Sequence, residues 1–74
     1  MDACEYIEAA ASQIRSRRAR DMVAKELEAH IEEQAAYCRE QGMSEEEANL
    51  EAVRQMGDPV EVGISMDRIH RPQT

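Results

Sequence analysis

The sequence predicts an all-α fold, a compact bundle of three to four helices, and three observations carry that prediction. Apolar residues recur at three- and four-residue steps along most of the chain, and no stretch alternates as a half-buried strand would. Glycine followed closely by a capping residue appears twice, at Gly42-Met43-Ser44 and at Gly57-Asp58-Pro59, each a helix stop beside a helix start. The length of 74 residues suits one helical domain spanning 1–74.

The first helix is expected over about 3–16. Ile7, Ala10, Ala11 and Ile14 occupy the i, i+3, i+4 and i+7 positions of one face, which Cys4 and Tyr6 widen. Asp2, Glu5 and Glu8 at its start and arginines at its end complement the helix dipole. Arg15, Arg17, Arg18 and Arg20 then form a basic cluster, followed by Lys25. The plain reading of the cluster is a solvated turn and helix start. Its functional reading is a docking patch for an acidic partner or anionic lipid headgroups.

Periodicity restarts for a second helix over about 19–41, carried by Val23, Leu27, His30, Ile31, Gln34 and Cys38 with Tyr37 alongside. Some 22 residues of helix span roughly 33 Å, so the other elements must pack against this one. His30 is expected to be a buried, hydrogen-bonded side chain between helices. Glu26, His30, Glu33 and Gln34 have spacings that bring some of them to one face. A zinc site, however, takes three or four ligands with supporting neighbours, and His70 lies in a separate segment. No metal or cofactor is therefore expected.

Gly42 is suited to end the second helix in a left-handed conformation, and Ser44 with Glu47 reads as a capping box opening a third helix over about 44–56. Met43 is placed to staple against Ala48. Ala48, Ala52, Val53 and Met56 form the inner face, with Glu45, Glu46 and Glu51 turned to water.

At the next corner Gly57 closes the third helix, Asp58 caps the fourth, Pro59 takes a position whose amide needs no partner, and Glu61 completes a second capping box. The fourth helix should run over about 59–70 before Pro72 excludes continuation, leaving 71–74 as an exit segment. Its apolar residues form two rows, Val60 with Ile64, and Val62 with Met66 and Ile69. Gly63 lies between them at a cost of about 1 kcal/mol against alanine, so a neighbouring backbone is expected to come close there. The row of Val62, Met66 and Ile69 is expected to lack cover in so small a domain and to offer a partner surface.

Composition narrows the function. Eleven residues are alanine, two are tyrosine and none is Phe or Trp, so the core is thin. Such a core does not easily enclose a ligand pocket of roughly 300 Å³ or more. No nucleophile elbow, phosphate-binding loop or paired metal-ligand motif is present. The chain therefore reads as non-catalytic. Sixteen acidic against nine basic side chains give a net charge of −7, and the third helix shows Glu45, Glu46 and Glu51 outward against Arg54 alone, the wrong sign for nucleic acid. Cys4 and Cys38 lack metal-ligand spacing and read as reduced thiols of a cytoplasmic protein rather than as a single disulfide. No apolar run approaches the ~18 residues of a membrane span.

Taken together, Gln13-Ile14-Arg15, Ala19-Arg20, Glu26 through Gln34, Gly42-Met43-Ser44, Glu47-Ala48, Ala52-Val53, Met56-Gly57-Asp58-Pro59 and His70-Arg71-Pro72 resemble the permease prefix domain, also described as the HAAS helical signalling domain. The resemblance covers nearly the whole chain. Its most specific parts are Glu-Leu-x-x-His-Ile-x-x-Gln, with Leu27, His30, Ile31 and Gln34, and the Met-Gly-Asp-Pro corner. It implies a cytoplasmic, N-terminal helical prefix at the inner face of the membrane in Gram-positive bacteria, attached to FtsW/RodA/SpoVE-like cell-wall and cell-division proteins. Another branch, small membrane proteins paired with PadR-type regulators, implies signalling through protein contacts, and a free-standing adaptor or self-associating dimer is the alternative to a prefix. The partner is then a protein, either the membrane domain of the same polypeptide or a regulator. The resemblance transfers no catalytic residue. Arg68, His70 and Arg71 would suit the cytoplasmic boundary of a span that follows.

Overall fold

The computed structural model describes residues 1–69. The expected helix end at residue 70 and the exit segment 71–74, with His70, Arg71 and Pro72, lie outside the described residues. Four α-helices and no strand are found among those described: α1 (Ala3–Ala11), α2 (Arg17–Glu40), α3 (Glu45–Met56) and α4 (Pro59–Ile69). None is long and apolar enough to cross a membrane.

The sharpest departure from expectation is at the end of α1, which stops at Ala11 instead of continuing to about residue 16. The ladder tightens there: the Gln13 and Ile14 amides bond three residues back, to Ala10 and Ala11, while the Ser12 hydroxyl donates to the Ala9 carbonyl at 2.7 Å. Ser16 then caps α2, its side chain accepting from the Ala19 amide, so the long helix starts two residues earlier than periodicity suggests. At the other end of α1, Asp2 and Glu5 form a reciprocal capping box.

α2 stops as its glycine dictates. Gly42 has φ +99°, its amide donates to the Arg39 carbonyl, and the Met43 amide reaches back to the Cys38 carbonyl, the bond pattern of a left-handed helix terminator. α3 opens on half of the expected box. Ser44 accepts from the Glu47 amide at 3.1 Å, but the Glu47 carboxylate accepts from the Ser44 hydroxyl rather than from its amide. At the second corner Gly57 has φ +89° and ψ −161°, an extended conformation of positive φ that is essentially open to glycine alone. Asp58 accepts from the Val60 amide at 2.9 Å, while the return bond expected from Glu61 is not formed among the described residues.

Two buried clusters share α2 as their spine. One joins Tyr6 of α1, Ile31, Ala35 and Cys38 of α2, and Ala48, Ala52 and Val53 of α3. The other joins Ala10, Ile14, Ala19, Val23 and Leu27, with Val62 and Met66 of α4 packed against it. Ile7 and Met56 touch both. Alanine supplies nearly half of this core, so helices approach closely and bury little area per residue. The result is elongated: extents are 49 × 16 × 15 Å, and the radius of gyration of 13.0 Å exceeds the roughly 11 Å of a rounder chain of this length.

Candidate interaction surfaces

The basic cluster divides into two structural and two outward arginines. With α1 ended early, the segment from Arg15 to Ser16 leaves the helical ladder and is tied down by side chains. Arg20 donates to the carbonyls of Ile14 at 2.9 Å and Arg15 at 3.2 Å. Arg15 donates through its amide and its Nε to the two carboxylate oxygens of Asp67, at 2.8 and 2.9 Å, joining the turn to α4. Arg17 and Arg18 are exposed and make no ion pair among the described residues.

On α4 the expected rows exchange places. Val62 and Met66 are half-buried against the core, so they are not the uncovered row that periodicity proposed. Gly63 marks the closest approach: it is buried at the end of α1, and a Cβ there would fall on the Ala10 carbonyl and lie 2.9 Å from the Gln13 Cβ. Met66 and Asp67 beside Gly63 turn inward, Val62 and Val60 flank that arc on opposite sides, and Val60 and Ile64 fall on the more open flank, 42 % and 39 % exposed. Ile69 is exposed as expected, lying past the Asp67–Arg15 contact.

His30 is also corrected. The buried row of α2 runs through Ala19, Val23, Leu27, Ile31, Ala35 and Cys38, and His30, one residue from Ile31 and 100° around the helix, faces solvent. It is not a buried side chain between helices. Leu27 and Ile31 are core, and Gln34 is half-buried. Among the described residues no group of three or more His, Cys, Asp or Glu is placed to hold a metal. Both cysteines are free, Cys4 exposed and Cys38 buried.

Concavities of more than the expected size do occur, but they are open to solvent. One of about 580 Å³ runs between the start of α1 and the middle of α2, bordered by Asp2, Cys4, Glu28 and Glu32. A second hollow lies at the Gly57-Asp58-Pro59 corner, beside Tyr6, Leu50 and Val53. Tyr6 is the residue the sequence reading underrated: it is the largest fully buried side chain, and its hydroxyl has no hydrogen-bond partner among the described residues. Burial first, and the Asp58 charge second, push the pKa of its phenol up. On the outer side of α3, bonds from Arg54 and then Gln55 hold the Glu51 carboxyl at about 2, well under the usual carboxylate range.

No protein-family model matches the chain, and neither does any curated protein or solved structure.

Proposed function

We propose that the chain is a non-catalytic protein-interaction module whose presenting element is the outer side of α4. The observation that supports this reading is the pairing of exposed aliphatic groups with a fixed support. Val60 and Ile64 stand outward on a helix held to α1 by the Gly63 contact and to the turn after α1 by the Asp67–Arg15 bonds. A surface held in place before binding loses less freedom on association than a mobile one.

The resemblance to the permease prefix domain gives this module a setting: a cytoplasmic prefix of an FtsW/RodA-like cell-wall or cell-division membrane protein, with its partner in the membrane domain or a regulator. The net charge of −7 and the acidic outer side of α3 argue against nucleic acid as the partner.

The coding sequence after Thr74 tests the setting. An apolar run of about 20 residues soon after it supports the prefix, whereas a stop codon there favours the free-standing adaptor. With the membrane domain expressed separately, Ile64→Glu should abolish its capture by the module while leaving helical content unchanged. Undiminished capture would remove α4 from the interface.

A further inference from the structure

The side of α2 opposite its buried row carries a pattern that reverses end for end. At 100° per residue, the core positions Val23, Leu27 and Ile31 lie on one side, and Arg18, Met22, Lys25 and Ala29 lie across from them. The basic half of this outer side, Arg18 and Lys25 with Met22 between them, precedes Ala29. An acidic half follows it, Glu32, Glu33 and Glu40 around Ala36. All of these are exposed except Ala36, which is half-buried. Arg18 and Glu40 are equally far from Ala29 in sequence, as are Met22 and Ala36, and Lys25 and Glu33. Each basic group thus mirrors an acidic one, and each apolar group another apolar one.

We propose that this face docks on the same face of a second copy of the chain, antiparallel, about a twofold axis at Ala29. The occupant follows from charge complementarity contained in the chain itself. Rotation about that axis sets Lys25 opposite Glu32 of the second copy on one flank and Arg18 opposite Glu40 of the second copy near the centre line, with each contact made twice. An interface of this symmetry needs one self-complementary patch, which α2 provides. Ala29 at the crossing lets the two backbones come close, and Met22 of each chain covers Ala36 of the other. The 24-residue helix gives a contact line of about 36 Å.

Three terms oppose the pairing. Glu32 already pairs with Arg39 of its own chain at 2.9 Å and must share that bond with the incoming Lys25. Glu26, on one flank, meets Glu33 of the second copy with like charge. The net charge of −7 on each chain repels over a range that 150 mM salt limits to about 8 Å. Exposed ion pairs are individually weak, so the dimer is weak too, with a dissociation constant on the order of 10–100 μM. This interface is separate from the α4 surface and does not rest on it.

Sedimentation equilibrium of the whole chain across that concentration range, at fixed 150 mM salt, provides the test. Wild type should show a monomer–dimer equilibrium. Lys25→Glu should weaken it at least tenfold, the triple variant Lys25→Glu, Glu32→Lys, Glu33→Lys should restore it, and Glu26→Gln should tighten it. Ile64→Glu, on α4, should leave it unchanged. Register is read by crosslinking in a Cys4→Ser background: Ala29→Cys should oxidise to a covalent dimer and Lys25→Cys should not. A monomer at every concentration, equal linking at both positions, or a charge reversal that the triple variant fails to rescue while helical content is intact, would each overturn the proposal.

Discussion

Tyr6 encloses its ring in the core while its hydroxyl finds no partner among the described residues. A buried hydroxyl left unpaired costs about 1–3 kcal/mol, and Tyr6→Phe keeps the ring while removing that cost. The variant should melt at the same temperature or several degrees higher; a clear fall would mean that the hydroxyl is satisfied. The phenol's pKa lies above its ordinary value in the fold, so the neutral form is the one the fold favours. Its contribution is present below the unfolded tyrosine pKa of about 10 and is lost as the pH rises through the higher folded value. Alkaline melts of the wild type should therefore decline more steeply above about pH 10 than those of Tyr6→Phe. Glu51 has the opposite sign. With Arg54 and Gln55 holding it at about 2, its contribution is present at neutral pH and disappears as the pH falls from the usual glutamate range toward 2. Arg54→Ala should bring the Glu51 titration, followed by side-chain NMR, back toward that usual range.

At the scale of helices, Gly63 reverses the ordinary rule of substitution. Glycine to alanine inside a helix normally gains about 1 kcal/mol. Here the added carbon meets the Ala10 carbonyl and the Gln13 side chain, so Gly63→Ala should destabilise the fold by about 1 kcal/mol or more net, read as a lower denaturation midpoint. A raised midpoint would mean that α4 does not sit tightly on α1. The sequence anticipated this close approach, as it did both glycine stops and the Ser44 and Asp58 caps, because each depends on chemistry within a few residues. The end of α1 was missed because an apolar face continues in sequence to Ile14 while the backbone bonds after Ala11 tighten to three-residue steps and the α-helical ladder ends. Asp2-x-x-Glu5 carried the signal of a capping box that periodicity passed over. His30 and the rows of α4 failed for a different reason. Local spacing says which residues share a face, but only the docked neighbour says which face is inside.

For the molecule as a whole, α2 is the shared wall of two thin cores, and Leu27 is one of the largest groups in them. Leu27→Ala should cost about 2–4 kcal/mol and lower the melting temperature by roughly 10 °C or more. A shift of only a few degrees would show that the alanine-rich packing collapses around the gap. Ile7 and Met56 are the side chains common to both cores, so Ile7→Ala should weaken the coupling between them. Hydrogen exchange in that variant should separate the amides of α3 from those of α4 into two protection classes, whereas uniform loss would mean that the cores remain one unit.

The bonds between Arg15 and Asp67 join positions 52 residues apart in sequence. During synthesis, α2 and α3 can find each other as neighbours, but the turn at Arg15 gains its companion only once α4 has left the ribosome. Until then the apolar side that α4 covers stays open on the nascent chain, and these four helices attain their closed form only when α4 emerges.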